Sequence, residues 1–195
     1  MEEKSFKPFI SADRVLPEIT PVSIGLGIML AVLFGAANAY LGLRVGMTVS
    51  ASIPAAVLSM GIVRIILKRD SILENNMVQT IGSAGESLAA GAIFTIPALF
   101  MWASESDAVS KPAFWVIAVI ALCAAVLGLI FMVPLRSALI VEEHGTLPFP
   151  EGTACAEVLL AGEEGGEKSK IVFSGLGVSA IFAAKKSLLS CSRVA

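Results

Sequence analysis

The sequence has few cysteines, a single histidine and no excess of positive charge, and each scarcity closes off a class of function. Cys123, Cys155 and Cys191 stand far apart with no C-x-x-C pair, and His144 is the lone histidine, so neither a disulfide framework nor a zinc site is supported and no cofactor or metal is expected. Lys and Arg number 14 against 16 Asp and Glu, and the net charge of -2 leaves a nucleic-acid partner without an electrostatic footprint. The first 20 residues, MEEKSFKPFISADRVLPEIT, lack the apolar core of a cleavable signal peptide, so insertion falls to the first long apolar run. Charged residues make up only 15% of the 195 against 56% hydrophobic, which excludes an ordinary soluble domain. The composition predicts an all-α, polytopic integral membrane bundle with the lipid bilayer as its first partner.

Four runs are long enough to cross the ~30 Å hydrocarbon layer as helices, at about 22–43, 45–67, 77–102 and 112–135. A fifth, 171–184, stops early at Lys185 and Lys186, and 185–195 continues neither the apolar pattern nor the charge alternation, as expected of an incomplete or frameshifted end of a longer chain. Lys and Arg alternate across the connections: Lys4, Lys7 and Arg14 in the tail, Arg44 in the first loop, then Arg64, Lys68 and Arg69, then Lys111, then Arg136, Lys168 and Lys170. That bias predicts four real spans and a cytoplasmic N-terminal tail at 1–21, in an inner membrane if the chain is bacterial.

Gly27, Ala31, Gly35 and Ala39 recur every four residues in the first span and predict close helix contact along one side. Asn38 and Tyr40, near its far end, read either as interfacial anchors or as part of a polar cavity. The second span follows with only Arg44 as connector, which suggests a helical hairpin or a broken segment, and Pro54 predicts a kink near Ser50. Trp102 and Trp115 bracket the loop 103–111 where an aromatic belt would lie, and the fourth span reads as a lipid-facing scaffold ending at Pro134.

The third span, within Asn75–Trp102, carries the chemistry. Gln79, Ser83 and Glu86 fall on one face of a helix at i, i+4 and i+7. A carboxylate at bilayer depth costs at least ~2.5 kcal/mol, so Glu86 should face a bundle interior, a water-filled cavity or a partner. A functional carboxylate, a structural one bonded to a neighbouring helix, and one placed at depth only by a misjudged boundary are the three readings. Ser83, Ser87, Gly91 and Thr95 form a small-residue ridge that reads as generic helix packing.

Arg136–Lys170 is the most polar internal segment. LPFPEGTACAEVLLAGEE reads as a proline-stiffened turn and a short helix, with Thr153 as N-cap and Gly162 as C-cap, lying at the interface or folded back toward the bundle. Glu142, Glu143 and His144 invite a metal or proton-relay reading, but adjacent residues lack the helix-spaced pairing of metal ligands.

At NNMVQTIGSAGESLAAGAIFTIPAL and LPFPEGTACAEVL, and in the opening AYLGLRVGMTVSASIP and AAVLSMGIVRIIL, the sequence resembles the N-terminal part of the oligopeptide transporter family in its prokaryotic branch, relatives of the yellow stripe-like metal-chelate transporters. The resemblance runs from about Phe6 to Phe182 and implies secondary transport, with small peptides or metal chelates as substrates and protons as coupling ion. Glu86, Ser83, Gln79 and Asn38 are then the candidate pathway residues, because such transporters gather broken helices and polar groups near the midplane. Two other readings are a non-transporting membrane fragment or structural subunit, and an intramembrane serine protease built on Ser83. The order Gly82-Ser83-Ala84-Gly85 departs from the protease pattern, and His144 has no evident route to Ser83.

Overall fold

A reciprocal cap opens the first helix. Thr20 N–H donates to Ser23 Oγ at 2.9 Å and Ser23 N–H to Thr20 Oγ1 at 3.1 Å, with Pro21 at the first helical position, where a missing N–H costs nothing. The computed structural model describes residues 9–11, 13–66, 68, 71–105, 110–143, 145–164 and 166–191. Among them every regular element is helical: α1 (Pro21–Val45), α2 (Ser52–Met60), α3 (Ile72–Glu105), α4 (Phe114–Arg136), α5 (Pro150–Glu164) and α6 (Gly166–Cys191). α2 and α4 are prolonged by wider π-type turns, Gly61–Ile66 and Ser137–Glu142. Three of the helical stretches, Pro21–Val45, Ile72–Glu105 and Phe114–Glu142, are long and apolar enough to cross a membrane.

The small-residue stripe of α1 lies against α3. A Cβ added to Gly27 would stand 2.8 Å from Ile81 Cβ, one on Gly35 3.3 Å from Gly85 O, and one on Gly42 2.8 Å from an Ile93 methyl. Residue numbers rise together along both helices, so α1 and α3 run parallel. The chain between them must therefore return to the side on which α1 began.

Ser71 marks that return, its Oγ donating to the Pro17 carbonyl at 2.8 Å. The crossing is made in two unlike halves. Gly46, at φ +75°, closes α1 by sending its N–H to Gly42 O at 2.9 Å, and residues 47–50 have no regular secondary structure. The helix from Ser52 to Ile66 covers roughly 20 Å of the return, and the irregular stretch before it covers the rest.

This corrects the expectation of a continuous, kinked second span over 45–67. Pro54 begins a helix instead of bending one, because at the third helical position its absent N–H is among the first four that lack an intrahelical acceptor. The apolar helical part, Ser52–Arg64, is too short to span alone. Of the two readings of the tight junction, the broken segment is the observed one.

Other boundaries shift for similar reasons. Pro134 lies inside α4, which continues to Arg136 before the π-type turn. α5 starts at Pro150, so Thr153 is not its cap but sits in the first turn with its hydroxyl on the Phe149 carbonyl at 2.8 Å. Gly162 is likewise internal to α5 and gives way to Met60 of α2, whose thioether occupies the space a Cβ would need. α6 runs unbroken through Lys185 and Lys186 to Cys191, and 192–195 lie outside the described residues.

The expected ridge on α3 is also not its packing face. Gly91 meets nothing within 4 Å and Thr95 is exposed, whereas Gly82 and Gly85 touch Leu30 and Ala31 of α1. α4 buries no residue.

Candidate functional site

Irregular backbone inside a membrane bundle must have its polar groups satisfied by the protein, since no water in the hydrocarbon layer can serve. Side chains of α1 and α3 do this for Val49 and Ala51, and further side-chain pairs tie the neighbouring serines to α3 and α5. Asn38 of α1, 3% exposed, donates from Nδ2 to Val49 O at 2.9 Å and accepts from Val49 N–H at 3.0 Å. Glu86 of α3, 7% exposed, accepts the Ala51 N–H on Oε2 at 3.3 Å, at the residue that precedes α2. Ser52 and Ser83 hydroxyls pair at 2.8 Å, and Ser50 donates to Glu151 at the start of α5.

α2 and α5 lie side by side and run the same way. Ser50 meets Glu151 at one end, while Met60 meets Gly162 and Arg64 reaches Glu163 O at the other. Both helices thus present their N-termini to the same place, where partial positive charge favours carboxylates.

A cavity of about 950 Å³ opens there. Its α3 wall runs from Ile72 through Asn76, Gln79, Ser83 and Glu86 to Ser87. The start of α2 adds Ser50 and Ser52, α5 adds Glu151 and Cys155, and Phe9 of the N-terminal segment lies at the rim. Gln79, Ser83 and Glu86 are therefore brought together on one wall, and the i, i+4, i+7 pattern describes that wall. Asn38 does not line the cavity; both polar atoms of its amide are taken by Val49.

Ser50, Ser52 and Glu151 complete the site and were not singled out from the sequence. Their signal is the proline that opens each short helix, Pro54 in SASIP and Pro150 in FPEG. Hydroxyls of Ser50 and then Ser52 hold the Glu151 carboxyl below the usual range, against a smaller upward push from burial. Burial pushes the Cys155 thiol up, and the neighbouring Glu151 charge adds to the rise. Gln79 Nε2 approaches Cys155 Sγ at 4.0 Å, a weak contact.

Ser83 has Ser52 as its hydroxyl partner. His144 lies outside the described residues, while Glu142 and Glu143 are described and exposed. Among the described residues no cluster of three His, Cys, Asp or Glu side chains could hold a metal ion.

Comparison with known proteins adds a family to this geometry. The family model described as OPT oligopeptide transporter protein matches residues 18–189. The chain belongs to the OPT family. A stretch of 123 residues is 46% identical to "Putative oligopeptide transporter" of Haemophilus influenzae (strain ATCC 51907 / DSM 11121 / KW20 / Rd), covering 63% of this chain and 18% of that relative, so the match takes up less than a fifth of the relative's length. No solved structure matches the chain significantly. The OPT match extends from the cap of α1 almost to the end of α6, so the broken crossing and the cavity wall at α2, α3 and α5 lie within the family region. OPT membership and the three long apolar helices together make this an integral membrane protein.

Proposed function

We propose that the chain forms part of a secondary transporter for small peptides, that the cavity between α2, α3 and α5 receives the solute, and that Glu86 exchanges the coupling proton. The observation that carries this is a carboxylate 7% exposed, beside the start of a broken crossing, on the wall of a cavity of about 950 Å³. Discontinuous helices with polar side chains at their breaks are where secondary transporters bind solute and ion. Ser83 and Gln79 supply neutral hydrogen-bonding groups on the same wall, and Asn38 serves the backbone of the break.

Small peptides are favoured as solute because the family model is described for oligopeptide transporters and the described walls offer hydrogen-bonding and carboxylate groups suited to a peptide. In this reading the N-terminal tail is cytoplasmic and the cavity, whose α3 wall begins at Ile72, opens toward that side.

The test is uptake of labelled tripeptide into proteoliposomes by a full-length family member carrying this Gln79–Glu86 segment, with an inward proton gradient. Glu86→Gln should abolish gradient-driven uptake while leaving insertion and peptide exchange at equilibrium intact. Undiminished gradient-driven uptake by the variant would remove Glu86 from coupling.

A further inference from the structure

We infer that the cavity takes the ammonium-bearing end of its solute, between the carboxylates of Glu86 and Glu151, and that the solute's carboxylate is not docked at the helix N-termini. The inference rests on the reading of this cavity as the solute site. Helix N-termini at a broken crossing ordinarily receive the anionic part of a solute. Here each already has a carboxylate of the chain itself beside it. Glu86 takes the Ala51 N–H at the head of α2, and Glu151 stands in the first turn of α5, bonded to the Ser50 hydroxyl.

Ser50 and Ala51 are consecutive, so the partner hydroxyl of Glu151 and the partner N–H of Glu86 are on neighbouring residues, and both carboxylates line the same cavity. Among the described lining residues there is no Lys, Arg or His to offset them. A second carboxylate entering with the solute would face two like charges at close range.

Glu86 adds an observation independent of this clustering. It is 7% exposed, its Oε2 has the single N–H of Ala51 at 3.3 Å, and its Oε1 has no hydrogen-bond partner among the described residues. That oxygen is open to the cavity, where a primary ammonium with three donors is suited to complete it while reaching a second carboxylate. The hydroxyls that hold Glu151 ionised keep that second acceptor charged at neutral pH.

The experiment compares three probes on the 195-residue chain in lipid nanodiscs: trialanine, its C-terminal amide and N-acetyl-trialanine, each competing with tritiated trialanine. The amide should bind within about twofold of trialanine, and the acetylated peptide about tenfold or more weaker, the scale of one charge-assisted hydrogen bond. Glu151→Gln should weaken trialanine toward the acetylated peptide and leave the acetylated peptide unchanged. Equal binding of free and acetylated peptides would overturn the inference and leave the proposed solute site standing. Selective loss with the amide would overturn it in favour of anion docking at the helix N-termini. No binding by any of the three would overturn both.

Discussion

Replacing Gly85 by alanine tests the parallel packing of α1 on α3, from which the broken crossing follows. The new Cβ would fall 2.5 Å from Ala31 Cβ and 2.8 Å from both its Cα and its carbonyl oxygen. None of these atoms can swing aside, since two are backbone and the third is fixed to it. Ordinary carbon contact begins near 3.5 Å, so the helices must part by roughly 1 Å. A gap of that size forfeits a quarter to a half of each affected dispersion contact, and overpacking of this kind costs about 1–3 kcal/mol. For a chain of this size each kcal/mol lowers the midpoint by about 2–4 °C, which puts the expected loss at roughly 2–12 °C. Gly91→Ala is the matched control, with nothing within 4 Å of its added carbon. Thermal unfolding in detergent, followed by fluorescence-detected size exclusion, should separate the two variants clearly. If Gly85→Ala melts no lower than Gly91→Ala, the helices do not meet as described and the return crossing loses its basis.

Further outcomes follow from individual contacts. Asn38→Ala should destabilise the fold by roughly 1–3 kcal/mol, since Val49 is left with an N–H and a carbonyl unmet; a loss of peptide binding at unchanged SDS-unfolding stability would instead make Asn38 a solute ligand. Glu151 is held below the usual carboxylate range, so its contribution to α5 docking is present above its unfolded pKa and is lost as pH falls through the lower folded value. Hydrogen exchange of α5 amides should therefore stay slow at neutral pH and speed up only in acid, with Ser50→Ala moving the change to higher pH. The raised Cys155 thiol should react sluggishly with maleimide at neutral pH, and Glu151→Gln, by removing the adjacent charge, should quicken labelling.

Particular residues explain which parts of this arrangement could be read in advance. The α1 stripe at Gly27, Ala31 and Gly35 was legible because small residues four apart have one consequence on a single-faced helix. α3 carries two such faces, and spacing alone does not say which one meets a partner. Gly82 and Gly85 pack on α1, whereas Ser83 and Ser87 line the cavity and Gly91 packs on nothing. The second crossing was misread as continuous because hydropathy counts side chains and is blind to backbone conformation. Val45 to Ile66 is apolar on average whether irregular or helical, and only the tight junction at Arg44 and Pro54 hinted at the switch. Glu86 was legible from the cost of its charge. Glu151 was not, because its segment is polar throughout and reads as a solvated connection.

Polar residues inside an apolar bundle divide by how much hydrogen-bonding capacity they have left, and this division separates the candidate site from its support. An irregular stretch between α1 and α2 exposes peptide groups that lipid cannot satisfy, so some polar side chains are committed to holding it. Asn38 is committed from both ends of its amide, Nδ2 donating to and Oδ1 accepting from Val49. Ser71 is spent on the Pro17 carbonyl, and Ser59 on the carbonyls of Ala56 and Asn75. Glu86 gives one oxygen to Ala51 and keeps the other for the cavity. A carboxylate retained for backbone support alone is replaceable by glutamine, whose amide oxygen accepts the same N–H without a buried charge. Glu86→Gln should thus leave unfolding by SDS within about 1 kcal/mol of the parent, the net worth of an ordinary hydrogen bond. A loss well beyond that would mean the charge serves the fold at the head of α2, and the case for its service to a solute would fail with it.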